Sequence, residues 1–327
     1  MKDWEQEVLS QYDIDVQNKR KVRSGILCEG ESGTFLMAQT RLSETRLSML
    51  EQLEMHLLDS GIADVDHLVR NKEGELYCEL EDETRCIVKT WFAGRECDVK
   101  KENELLNATK NLTRIHKALR RPVSWKEPEA KAHQGEDLNQ IFFRHNRELK
   151  KVRTFARERV DKGVFEQEFL KNFDSMYIWA EAAAEKLKGS SYKNLERHLI
   201  HGDYNYHNIL MLYDGVATTN FEHFEENIQM TDFYYFLRKA MEKHQWDSRL
   251  GDKMIDYYQR FLSFTKEEME YLSVLIAYPE KFWKAANSYS RSKKAWIPAK
   301  SLEKMELVIS QIEKKKKFLE DVFGFHL

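Results

Sequence analysis

Proline is scarce in this chain of 327 residues, with only 4 in all. So few breakers leave long stretches free to be helical. Cysteine is equally rare: Cys28, Cys78, Cys86 and Cys97 lie in the first third of the chain and show no CxxC spacing. They read as free thiols in a reducing compartment, which argues against a disulfide frame or a zinc site. No apolar run approaches the roughly 18 residues of a membrane span. The opening, MKDWEQEVLSQYDIDV, is acidic and amphipathic, unlike a signal or transit peptide, so synthesis and folding in a cytosol are expected. Charge of one sign is also missing. The net charge is -3, and no global field draws the chain to nucleic acid or an anionic membrane. The longest basic run, Lys314 to Lys317, sits inside an amphipathic stretch and reads as a solvated helix face.

What is present is an ordinary globular mixture of 42% hydrophobic and 33% charged residues. Lys21 to Cys28 and Thr34 to Gln39 flank a Gly-containing turn, Glu29 to Gly33, in the pattern of a hairpin. Leu47, Leu50, Leu53 and Leu57 recur at a helical period between Leu42 and Leu58, and Ser60-Gly61 closes that helix. Two further strand-like runs follow, Gly74 to Leu80 and Thr84 to Trp91. After Phe92-Ala93-Gly94 the character changes. Residues 100–120, 138–161, 164–188, 232–246, 252–263, 265–290 and 299–321 read as amphipathic helices, and only 198–224 breaks that pattern. The expectation is an α+β protein with a boundary at residue 92: a sheet-rich N-terminal part, 1–92, and a helical part, 93–327.

The sharpest local signal is His201-Gly202-Asp203-Tyr204-Asn205-Tyr206-His207-Asn208, an H-G-D-x4-N pattern between the apolar runs Leu199-Ile200 and Ile209-Leu210-Met211. In phosphoryl transfer a carboxylate orients the attacking hydroxyl, and an Asn a few residues on ligates magnesium bridging the phosphates. A short loop must bring both to one place, and the kinase catalytic loop keeps the same Asp-x4-Asn spacing.

This pattern resembles the catalytic loop of aminoglycoside and choline phosphotransferases. Tyr77 to Gly94 resembles the strand and hinge of those enzymes, and Leu112 to His116 their Leu-x-x-Leu-His helix. Asp232 to Lys239, the stretch Tyr278-Pro279-Glu280-Lys281-Phe282-Trp283-Lys284, and Trp296 are similar to the CotS-type spore-coat kinase-like proteins, a group that includes the YutH and YsxE types. The resemblance implies a bilobal protein-kinase-like fold with a small antiparallel-sheet lobe and a large helical one. It implies Asp203 and His201 as the catalytic pair, and ATP and magnesium as cofactors if the site is active, none if it is not. It also implies spore-coat proteins as partners, and a path from the mother-cell cytoplasm to the spore coat.

Two departures from the active pattern stand out. Active members carry a metal-binding Asp in an I-D-[FW]-[DE] motif, where this chain has Thr219-Asn220-Phe221-Glu222. An amide at 220 brings no negative charge, and magnesium favours anionic oxygen. Read as a strand, 220 and 222 would share a face, so Glu222 could reach the ion. Asn208, Asn220 and Glu222 are therefore the candidate ligands of a weak or lost magnesium site. The second departure is the phosphate-pairing Lys of the third strand. Its place falls in Phe35 to Gln39, with Met37 as the equivalent by spacing, and no Lys lies between Lys21 and Lys72. Lys21 or Arg23 would be the relocated cations.

Each site residue also has a structural alternative: His201 and Asp203 as a loop brace, Asn208 as a turn cap, Glu222 as an ion-paired carboxylate, His116 as a core histidine. His207 has no neighbour at metal-ligand spacing. Trp283 and Trp296 read as packing. The expected function is a degenerate, pseudokinase-like phosphotransferase of the spore coat; the alternative is an active enzyme acting on a small hydroxyl compound, sugar or protein side chain.

Overall fold

The computed structural model describes residues 4–126, 133–291 and 299–326. They form two compact units, one of residues 1–133 with 198–226, the other of 134–197 with 227–327. The change of character at residue 92 lies inside the first unit.

The first unit opens on α1 (Trp4–Ser10), then β1 (Asn18–Val22), β2 (Gly25–Gly30), β3 (Gly33–Gln39), α2 (Glu44–Asp59), β4 (Leu68–Val69), β5 (Cys78–Glu79) and β6 (Arg85–Thr90). The strands make an antiparallel sheet in the order β1-β2-β3-β6-β4, with β5 on β6. The expected hairpin is present as β2 and β3, with Gly30 opposite Gly33. The run from Lys21 to Cys28 is not one strand, however. It turns at Arg23-Ser24, where Gly25 opens β2 against Val22. A Cβ on Gly25 would lie 2.0 Å from the Met37 carbonyl oxygen, so only glycine lets β2 and β3 approach there.

One face of this sheet is apolar and covered by α1 and the turn after it: Val8 of the helix and Tyr12 beyond it pack with Ile26, Cys28, Phe35, Met37, Cys86 and Val88. Helix α2 starts where the Ser43 side chain accepts from Arg46 N, and buries the four leucines that its period marked, each at most 1% exposed. After β7 (Arg95–Glu96) and α3 (Glu102–Leu119), the chain re-enters this unit with β8 (His198–Ile200), β9 (Ile209–Met211) and β10 (Val216–Thr218), and leaves it along β11 (Glu225–Asn227). Strands β10, β9 and β7 form a second small sheet. Thr218 runs parallel to Val65, with its N–H donating to the Asp64 carbonyl. That pairing lays Asp66 beside Asn220.

The second unit is helical: α4 (Leu138–Glu158), α5 (Val164–Gly189), α6 (Met230–Lys243), α7 (Ser248–Phe261), α8 (Lys266–Ala277), α9 (Glu280–Ser290), α10 (Ala299–Ser310) and α11 (Ile312–Phe323). Two expected helices are each broken in two. The stretch 265–290 breaks at Pro279, which has no N–H to donate and holds Tyr278 extended at ψ 133. The stretch 299–321 breaks at Gln311, whose side chain accepts from Trp246 Nε1 and donates to the Glu242 carbonyl. Trp283 is packing, as read: it stacks on His145, and Tyr278 nearby stacks on Phe142. Trp296 lies outside the described residues. Among the described residues no helix is long and apolar enough to cross a membrane.

Candidate functional site

The H-G-D-x4-N segment forms the loop between β8 and β9. Gly202 sits at φ +80, and a Cβ there would lie 2.1 Å from the His223 carbonyl oxygen, so the middle position must be glycine. His201 is fully buried. Its Nδ1 accepts from the Asp203 N–H at 3.1 Å, so the ring proton sits on Nε2, which donates to the Thr219 carbonyl at 3.0 Å. The ring thus fastens the loop to the segment carrying Asn220. Tyr204 adds a second tie, its hydroxyl donating to the Ala108 carbonyl of α3 at 2.8 Å.

Asp203 is exposed, and its carboxylate accepts from Asn205 Nδ2 at 2.8 Å and from Asn208 Nδ2 at 3.0 Å. Asn208 Oδ1 in turn accepts from Asn220 Nδ2 at 2.9 Å. Asn220 Oδ1 accepts from Lys89 Nζ at 2.7 Å. An ammonium only donates and a carboxylate only accepts, so the two ends of this relay fix the orientation of both amides between them. An aspartate at 220 could not donate to Asn208, and the relay in this form requires the amide.

Lys89, on β6, was not foreseen as a site residue, and it is the hub. It is 1% exposed, and its three N–H donors meet three oxygens: Asp66 Oδ2 at 2.9 Å, Asn220 Oδ1 at 2.7 Å and Glu222 Oε1 at 2.5 Å. Asp66, also 1% exposed, uses both oxygens to accept from the Asn220 N–H at 3.1 and 3.0 Å. Burial opposes the charge on Lys89, but the two carboxylates outweigh it and hold the ammonium above its ordinary range. Glu222 is held low by Lys89 despite its burial. Nearby Glu54 of α2 is pushed well up by burial and by the Asp66 charge, while accepting from the Leu68 N–H.

Residues 221–223 form a 3-10 turn, not a strand, and Asn220 is left-handed at φ 67, ψ 58. Asn220 and Glu222 therefore converge through the turn, not through a shared strand face. Asn208, Asn220 and Glu222 do come together, as the sequence indicated, but around the ammonium. A magnesium ion would need those oxygens at roughly 2.0–2.1 Å in near-octahedral array. Two of them already rest on Lys89 and the third on the Asn220 amide, so these residues do not fit a bound magnesium while Lys89 is in place.

Met37 lies elsewhere. On β3 it pairs with Val88, while Leu36 pairs with Lys89. Side chains alternate across a strand, so Met37 points to the opposite face, fully buried beneath α1. Its expected role at a phosphate is corrected on that ground: a lysine there would enter an apolar core. Lys21 and Arg23 are exposed and take no part. His207 pairs with Glu96 through Nδ1 at 2.6 Å, and His116 is a fully buried core residue of α3. The signal for Lys89 was in the sequence, as a lone charge within the apolar run Cys86-Ile87-Val88-Lys89.

The chain has the kinase-like fold of the aminoglycoside phosphotransferases. The chain resembles in structure an aminoglycoside phosphotransferase from Alicyclobacillus acidocaldarius, at a TM-score of 0.85 and 17% identity over 98% of this chain and 95% of that one. A spectinomycin phosphotransferase solved with ADP and spectinomycin matches at 0.67 and 14%, over 95% and 98%. A choline/ethanolamine kinase family protein from Mesorhizobium loti matches at 0.57 and 10%, over 97% and 95%. The family model described as "Spore coat putative kinase YutH" matches residues 5–322, and the chain belongs to that family. Comparison with curated proteins finds no sequence match.

Proposed function

We propose that this protein is a degenerate phosphotransferase that serves in assembly of the spore coat through its surface, with its catalytic loop retained as architecture. The observation that carries this reading is the Lys89 ammonium resting on the oxygens that a magnesium–nucleotide complex would need. Phosphoryl transfer is nearly all positioning and charge, and here the oxygens of Asn220 and Glu222 already serve a buried ammonium. Membership of the spore-coat family supports coat proteins as the partners, and synthesis in the mother-cell cytoplasm before deposition on the coat. The near-neutral net charge gives no support to nucleic acid or membrane partners.

A second reading, an active ATP- and magnesium-dependent enzyme on a small hydroxyl compound, sugar or protein side chain, draws on one observation: Asp203 stays exposed beside Asn208. Turnover separates the two. In a coupled ADP-release assay with ATP and magnesium, the unmodified protein and Asp203→Ala give the same background, and spores carrying Asp203→Ala keep a normal coat. Asp203-dependent ADP release, or a coat defect from a folded Asp203→Ala protein, would refute the scaffold reading.

A further inference from the structure

The second unit holds a cavity of about 40 Å³ bounded by α5, α6, α9 and α11. One water needs roughly 10–15 Å³, so there is room for a few waters or one small ion. Its walls are built partly by the Tyr278 to Lys284 stretch and partly by the basic run on α11, two features the phosphotransferase loop does not use.

The charges around it do not balance. Arg238 Nη1 pairs with Glu242 Oε1 at 2.7 Å, and Lys281 takes Glu242 Oε2 at 2.9 Å. Glu280 is taken by Lys284 and by the Tyr234 hydroxyl, with Arg238 Nε at 3.8 Å. Both carboxylates are therefore spoken for. Lys315 is left with the backbone carbonyls of Tyr278 at 3.2 Å and Ala277 at 3.4 Å, between the rings of Trp179 and Trp246 at 5.5 and 5.3 Å. It is not a solvated face residue but a half-buried amine on the cavity wall. Arg238 is 6% exposed, lines the same cavity, and its Nε has no hydrogen-bond partner.

We propose that this cavity is a binding site for a short-chain carboxylate, held by Lys315 and by the Nε of Arg238, which makes no hydrogen bond, with its alkyl end against Trp179 and Trp246. Lys315 faces this space with no carboxylate of its own, because Glu242 and Glu280 are engaged by Arg238, Lys281 and Lys284, and Arg238 keeps one N–H without a hydrogen bond. The indole rings suit the methyl end of an acetate-sized anion.

The site predicts its own pH dependence. Burial and the neighbouring Arg238 charge push the Lys315 amine down to about 7, against smaller upward pulls from Glu242 and Glu280. Lys281 and Lys284 add positive charge on α9, while Trp179 on α5 and Gln311 on α11 are uncharged. A bound carboxylate favours the protonated amine, so binding takes up a proton near neutral pH. Affinity weakens by up to about tenfold per pH unit above that range.

The test is calorimetric titration of acetate and propionate into the full chain at constant ionic strength, in two buffers of different ionisation enthalpy, at pH values on either side of 7. The expected result is saturable binding with proton uptake above neutrality, and loss of at least tenfold in affinity in Lys315→Met. That variant replaces the amine with an apolar chain of similar length between two indoles. Absence of saturable heat, heat independent of the buffer above pH 7, or unchanged binding by Lys315→Met would each overturn the proposal. The buffer comparison decides on the unmodified protein even where the variant does not fold.

Discussion

Lys89 meets three oxygens with three N–H groups at 1% exposure, and the cost of removing it is correspondingly high. Lys89→Met leaves Asp66 buried with no cation, and is expected to lose about 3–5 kcal/mol at neutral pH. The loss shrinks on acidification, because Glu222, no longer held low by Lys89 and now opposed only by burial, takes up a proton in the folded state. Urea denaturation of both proteins at pH 7 and pH 5 checks the size and the sign. A second residue-scale expectation concerns His145, stacked on Trp283 at 3.4 Å with Nδ1 unpartnered. Burial, helped by Arg144, lowers it to about 4. A depressed histidine stabilises fully above its unfolded value of about 6.5, and that contribution is lost as pH falls toward 4. His145→Phe should keep the stack and remove on the order of 2 kcal/mol of acid destabilisation over that interval, read from melting temperatures between those pH values. At this scale the sequence showed Asp203, Asn208, Asn220 and Glu222, because spacing fixes them. Lys89 showed only as a lone charge in an apolar run, and its place in the site was not legible, because only the sheet register reveals which face of β6 a residue occupies.

The element that matters most is the β8–β9 loop with the turn after β10. His201 donates across from one to the other, and Gly202 allows the two backbones to approach. Gly202→Ala combines a left-handed φ with a Cβ 2.1 Å from a carbonyl oxygen. It should cost at least about 2 kcal/mol by thermal or chemical denaturation, with no comparable effect from alanine at Gly189, which has open space. Helical periodicity made most elements legible: the four leucines of α2 and the span of α3 were plain in the sequence. Helix breaks were harder. Pro279 is a breaker that the period ignored, and Gln311 breaks its helix through tertiary bonds to Trp246 and Glu242. The short β4 has no pattern of its own, since two residues cannot show alternation.

Across the whole molecule, the four cysteines are all buried, and burial pushes Cys86 and Cys97 up to about 12. A thiolate is the reactive form, so the native protein should resist Ellman's reagent at pH 8 and release four equivalents only on unfolding. Rapid labelling of the native chain would contradict the packing of the first unit. Family membership and the kinase-like fold were legible from the catalytic-type loop and the late Tyr-Pro-Glu-Lys-Phe-Trp stretch. What filled the metal position was not, because it depends on a residue 131 positions away from Asn220. The most direct measurement is calorimetric titration of ATP with excess magnesium into the unmodified protein. With the Lys89 ammonium seated on Asn220 and Glu222, no magnesium-dependent binding is expected. Micromolar binding that requires magnesium and is lost in Glu222→Gln would show that these oxygens hold a metal, and that Lys89 gives way to it.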